Sequence, residues 1–185
     1  MSSVVHPIKL TFEDYLGFPD DGRRHELLDG QHAVTPAPGR RHQAVSRWLV
    51  HHLSAWTVEH GGEVFAAPFD VVLSDVDVVQ PDVLYVSPER ASILTEANAQ
   101  GAPDLVIEIL SEATRRRDEL TKRHLYARHG VAEYWIVDPV LETVKVYRDP
   151  AVGFAKPQIL SRESGDALES PLLPGFTLGL DGVFA

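Results

Sequence analysis

Ala102-Pro103-Asp104-Leu105-Val106-Ile107-Glu108-Ile109-Leu110-Ser111 is the stretch on which the fold turns. A short apolar run bounded in this way reads as a strand, Asp104 to Leu110, buried on both faces. Glu108 interrupts it. An ionised carboxylate at such a point is costly unless a cation or a hydrogen-bond donor meets it. A second acid has the same difficulty: Asp82 follows Pro81 and opens the strand-like run Val83-Leu84-Tyr85-Val86. Two carboxylates on neighbouring strands also repel each other, and a shared divalent cation is the economical partner. The plainer readings are that Glu108 pairs with a buried Arg or Lys, and that Asp82 caps the turn after its proline.

Working outward, Arg115 to His129 reads as a helix stopped by Gly130, four residues (Ser111 to Thr114) after the strand. At about 100° per residue, Arg115, Asp118, Lys122, Tyr126 and His129 share one face. Lys122 can then reach back over the two acids. Otherwise Asp118 and Lys122 form an ordinary i,i+4 pair on a solvated face. Tyr126, Tyr134 and Trp135 read as core aromatics, and Arg115-Arg116-Arg117 as a solvated helix start or a phosphate contact. Glu133 to Pro139 and Thr143 to Tyr147 are two further strands.

Upstream, Thr11 with Asp14 signals a short capped helix. Asp29-Gly30, inside Glu26 to Val34, is a strong hairpin signal. Val45, Leu49, Leu53 and Trp56 have helical spacing within His42 to His60, with Gly61-Gly62 as the stop. Glu63 to Leu73 reads as one strand holding Pro68, hence an edge or a bulge. Asp75 and Asp77 read as a polar turn, and Ser87 to Pro103 as a loop with a short helical piece. The tail beyond Tyr147 carries Leu172, Leu173, Phe176, Leu178 and Phe184, which suit either a sheet-edge cover or a dimer surface.

At 185 residues the default is one α/β domain over 1–185, with its core at about 24–148. The net charge of −10 excludes a general coat for nucleic acid, since phosphate binding relies on Lys and Arg. Basic residues nevertheless gather at Arg40-Arg41 and from Arg115 to Arg128, compatible with a basic mouth on an acidic body. The absence of cysteine excludes disulfides and thiolate metal sites. No apolar run nears the roughly 20 residues of a membrane span. Met1 to Leu10 lacks a basic segment followed by an apolar one, so a cytoplasmic protein is expected. The nine histidines form no HExxH pair.

Taken in order, these stretches resemble the Uma family of restriction-endonuclease-like proteins, within the PD-(D/E)xK nuclease superfamily. The matching residues are Glu26 to Gly30, His42-Gln43, Gln80 to Val83, Ala102 to Ser111, Asp118 with Lys122 and Tyr126, and Gly130 to Pro139. The resemblance implies a mixed central sheet flanked by helices, with an N-terminal hairpin, and metal-dependent hydrolysis of DNA phosphodiester bonds. It implies Mg²⁺ or Mn²⁺ held by Asp82 and Glu108, with the carbonyl of Ile109 in the oxygen shell. The superfamily lysine two residues after the second acid is Leu110 here, and Lys122 is the residue that matches its role. Glu26 matches an acidic position near the metal. His42, Arg115 and Arg116 are the expected substrate contacts. DNA is the expected partner, and two-site cleavage by relatives suggests a homodimer. The rival functions are a catalytically inert nuclease fold that binds nucleic acid or a partner, and a phosphoesterase acting on another substrate.

Overall fold

The computed structural model describes residues 8–185, so most of the leader reading, Met1 to Pro7, lies outside the described residues. In chain order, α1 (Phe12–Tyr15) precedes the hairpin of β1 (Arg24–Leu28) and β2 (Gln31–Thr35). The long α2 (Arg40–His60) is followed by β3 (Glu63–Ala66), β4 (Asp70–Ser74), β5 (Asp77–Val79) and β6 (Val83–Val86). A 3-10 turn at Pro88–Ile93 and β7 (Asn98–Gln100) lead to β8 (Leu105–Ile109). A π-helical segment, Arg117–Lys122, continues as α3 (Arg123–Arg128), then come β9 (Glu133–Asp138) and β10 (Thr143–Tyr147). The tail forms β11 (Gln158–Ser161), β12 (Ala167–Ser170), β13 (Leu173–Gly179) and α4 (Leu180–Val183).

Local chemistry explains most of these boundaries. Thr11 and Asp14 close a reciprocal capping box on α1. Asp29 and Gly30, at φ 54° and 73°, make the tight hairpin turn. Gly61, at φ 80°, ends α2. Two expectations need correction. Glu63 to Leu73 is not one strand: Pro68 has no N–H for a ladder, and the chain leaves one sheet there and enters another. The Ser87 to Pro103 loop contains β7, which pairs in parallel with β4.

The larger sheet has the order β11-β10-β9-β8-β6-β3, with β8 and β9 parallel across the intervening helix. The smaller has the order β2-β1-β5-β4-β7. Strand alternation divides β8 between two cores. Leu105, Ile107 and Ile109 pack with Val45, Leu49 and Leu53 of α2. Val106 and Leu110 pack with Leu125 and Tyr126 of α3 and with Leu28, Val71 and Val79 of the smaller sheet. Glu108 belongs by alternation to this second side. The tail residues Leu173, Phe176 and Leu178 join the α2 core, so they cover a sheet face rather than an edge. Among the described residues no helix is long and apolar enough to cross a membrane.

Candidate active site

Register brings the two acids together. Val83 of β6 pairs with Ile107 of β8, so Asp82 and Glu108 are the next opposed pair beyond it. Both are almost fully buried, 4% and 2% exposed. The strand β1 adds Arg24 and Glu26, which alternation puts on one face. The helical segment adds Asp118, Lys122 and Tyr126. An ideal α-helix would turn Tyr126 about 80° away from Asp118. The wider π turn between them reduces that drift, and such turns recur at functional sites.

Lys122 is buried at the centre. Its Nζ lies 2.7 Å from Glu26 Oε1 and 2.8 Å from Glu108 Oε1. The Tyr126 hydroxyl donates to the same Glu108 oxygen at 2.6 Å, and the Gln80 N–H donates to Glu26 at 3.0 Å. Arg117 stands 3.7 Å from Glu26 Oε2 and donates to Thr35. Asp82 is held separately. Arg24 donates to its Oδ1 at 2.6 Å, while His42 Nε2 (3.0 Å) and the Ile109 N–H (2.8 Å) meet its Oδ2. Asp118 Oδ1 and Glu26 Oε2 are buried without a hydrogen-bond partner. A cleft of about 380 Å³ opens onto Asp82, His42 and Arg24, with Arg23, Gln43 and Gln80 in its walls. A larger cavity, about 530 Å³, lies around Arg148 and Phe176 of the tail and meets none of these acids.

Four carboxyl groups, Glu26, Asp82, Glu108 and Asp118, stand with three full cations, Lys122, Arg24 and Arg117, and with the His42 ring on Asp82. With all four acids ionised, negative charge would be in excess. Burial and the charges of Asp118, Asp82 and Glu26 push Glu108 up to about 8, although Lys122 pulls the other way. Burial likewise raises Asp118 to about 6 against the opposing pull of Lys122. Burial works to raise Asp82 too, but the His42 contact, Arg24 and the Ile109 N–H hold it at about 2. Burial opposes the ionised form of Glu26, yet Lys122 keeps its pKa low. Lys122 itself is raised: burial disfavours its charge, and Glu108, Glu26 and Asp118 more than restore it.

Asp82, Glu108 and Lys122 therefore converge, as their placement suggested, and Glu26 and His42 join them, as the family resemblance implied. Ile109 joins them through its backbone, and in extended chain its carbonyl leaves by the same edge as its N–H. Arg115 and Arg116 do not. Arg115 is bound to Asp138 at 2.8 Å and Arg116 is exposed, because helical rotation turns Arg117 inward instead. Lys122 and Asp118, expected as a solvated pair, are both buried, and Lys122 binds Glu26 and Glu108 instead; Tyr126 is both a core aromatic and a donor to Glu108. The polar turn read at Asp75 and Asp77 is the β4–β5 hairpin, and Asp77 is in addition a buried acceptor for Arg128, His129 and the Asp29 N–H. Arg24 was missed, and Arg117 was read only within the run Arg115-Arg116-Arg117. For Arg24 the only sequence signal is its position two residues before Glu26. Among the described residues no three His, Asp or Glu side chains already stand at metal-binding spacing. The donor chemistry nevertheless fits a hard cation: carboxylate oxygens in excess of cations, two of them orphaned.

The described fold resembles that of a crystal structure titled as a putative nuclease belonging to DUF820, from Anabaena variabilis ATCC 29413. The TM-score is 0.78 at 22% identity, covering 95% of this chain and 97% of that one. Comparison with curated proteins finds no similar sequence. The family Uma2, described as "Putative restriction endonuclease", matches residues 12–181. With nearly all of its length inside that match, the chain belongs to the Uma2 family.

Proposed function

We propose that the protein is a Mg²⁺- or Mn²⁺-dependent endonuclease that hydrolyses DNA phosphodiester bonds. The observation that carries this reading is a buried cluster of four carboxyl groups around Lys122, one more than its Lys and Arg partners, which reaches a cleft through Asp82. Asp82 and Glu108, with the Ile109 carbonyl, would hold the ion. Once bound, it would acidify an attacking water and neutralise charge on the phosphate. Lys122 is the residue to stabilise the added negative charge of the transition state, because Glu26 and Glu108 keep it protonated and aimed. Tyr126 fixes the Glu108 carboxyl group through the oxygen it shares with Lys122. His42, in the cleft wall, orients Asp82.

A nicking assay on supercoiled DNA with Mg²⁺ or Mn²⁺ tests the assignment. Wild type should cleave, whereas Asp82→Asn, Glu108→Gln and Lys122→Ala should each lose roughly a hundredfold or more. Cleavage persisting in all three variants would remove these residues from the reaction. One observation favours the inert reading: Arg24, His42 and the Ile109 N–H already occupy both oxygens of Asp82. Absence of cleavage together with absence of calorimetric Mn²⁺ binding would select it.

A further inference from the structure

The geometry points to Arg24 as an exchangeable cation: it neutralises Asp82 Oδ1 in the metal-free protein, yields that oxygen to a divalent ion, and then binds the phosphodiester backbone in the cleft. The inference rests on the metal-dependent reading above and adds to it a residue that positions the substrate. Its basis is the unequal way in which the oxygens of the two acids are held. Asp82 Oδ2 is fixed by two groups of the rigid core, the His42 ring and the Ile109 N–H. Oδ1 is met by Arg24 alone. On Glu108, Lys122 and Tyr126 share Oε1, and Oε2 accepts no hydrogen bond among the described residues. One oxygen of each acid is therefore locked. Of the other two, only that of Asp82 is covered, and its cover is a side chain.

That side chain can leave. Lys122 is 3% exposed and gripped by two carboxylates, but the Arg24 side chain is 18% exposed and lines the cleft next to Arg23. Its remaining contact, to the Gln80 carbonyl, is a long 3.4 Å. When Arg24 departs, His42 and the Ile109 amide still hold the Asp82 carboxylate in place. A displaced guanidinium in this cleft meets no acid other than Asp82 and Asp20 among the wall residues. It carries a planar fork suited to phosphate oxygens. The exchange strands no charge: a divalent ion replaces a guanidinium against the acids, and the guanidinium meets the incoming anion.

The test is Mn²⁺ titration calorimetry on the full chain, comparing wild type with Arg24→Gln, Arg24→Lys and Asp82→Asn. A second measurement is anisotropy of a labelled oligonucleotide duplex in Ca²⁺. Arg24→Gln should bind Mn²⁺ roughly tenfold more tightly, since no charge-assisted hydrogen bond has to be broken, and should bind the oligonucleotide more weakly. Arg24→Lys, a shorter single-point cation, should fall between the two for Mn²⁺ and gives a second reading if the Gln variant folds poorly by circular dichroism. Wild-type Mn²⁺ binding that is lost in Asp82→Asn but not tightened in either Arg24 variant overturns the exchange and leaves the metal reading standing. Tighter Mn²⁺ binding with undiminished oligonucleotide binding overturns the phosphate role. No Mn²⁺ binding by wild type or by either Arg24 variant overturns the metal reading, and the inference with it.

Discussion

Single side chains at the centre of this molecule report on charge, and their titration can be followed in the folded protein. The Glu108 pKa of about 8 lies above its ordinary 4.5. The folded state therefore binds that proton more tightly than the unfolded chain does. The resulting stability is complete below the ordinary value and is lost as pH rises through about 8. Glu108→Gln cannot ionise, so in EDTA its melting temperature should gain on wild type steadily between pH 5 and pH 9. A difference that shrinks with rising pH would count against the assigned repulsion. Lys122→Ala should behave in the opposite way. It leaves Glu26 and Glu108 without their common cation, at a cost of about 3–5 kcal/mol near neutral pH. Urea denaturation should find a smaller loss at pH 5, where Glu26, its burial no longer opposed by Lys122, can take up a proton; Glu108 is already protonated near neutral pH. Asp82 has the reverse sign. Its lowered pKa stabilises the fold above its ordinary 3.8 and ceases to do so as pH falls through about 2.

At the level of elements, the site depends on where strands and helices stop. Gly62 joins α2 to β3 at φ 83°, and a Cβ there would stand 2.5 Å from the Tyr85 ring and 2.7 Å from the Val86 carbonyl. Gly130 closes α3 at φ 77° with nothing within 4 Å of such a Cβ. The left-handed conformation alone costs a non-glycine residue about 1–2 kcal/mol. Gly130→Ala should lose about that much, and Gly62→Ala distinctly more, because it strains β6 as well. Urea midpoints of the two variants make the comparison, and equal losses would mean that the packing around Tyr85 gives way freely. The π segment is the other element of consequence, since it supplies Asp118 and Lys122 to one side of the chain and leads directly to Tyr126.

Across the whole molecule, the two sheets must stay docked for Arg24 and Glu26, carried by the smaller sheet, to meet Asp82 and Glu108 on the larger. Asp77 is one fastening. From β5 it accepts from Arg128 at 2.8 Å and His129 at 3.0 Å, at the C-terminal end of α3, and from the Asp29 N–H at 2.7 Å in the hairpin turn. Asp77→Ala should cost about 2 kcal/mol, since it removes a buried acceptor of several charge-assisted hydrogen bonds. Hydrogen exchange should quicken in β1 and β5 while β8 and β9 keep their protection. Uniform loss of protection would mean that the two sheets unfold as one unit.

The sequence by itself determined what repeats locally. Strand alternation, the 3.6-residue stripe of α2, the Asp29-Gly30 turn and the capped α1 are set by neighbours a few residues apart, and all are present in the fold. The improbable placement of Asp82 and Glu108 inside apolar runs was equally legible, because buried charge stands out against its surroundings. Only the tertiary structure decided which cation meets which acid. Arg24 reaches Asp82 across 58 positions and Arg117 reaches Thr35 across 82, while Arg115 and Arg116 turn elsewhere. It also decided that the chain changes sheets at Pro68 and that the tail covers the α2 core. Periodicity fixes the direction of a side chain relative to its own element. Its partner depends on how whole sheets and helices pack, and no local pattern encodes that.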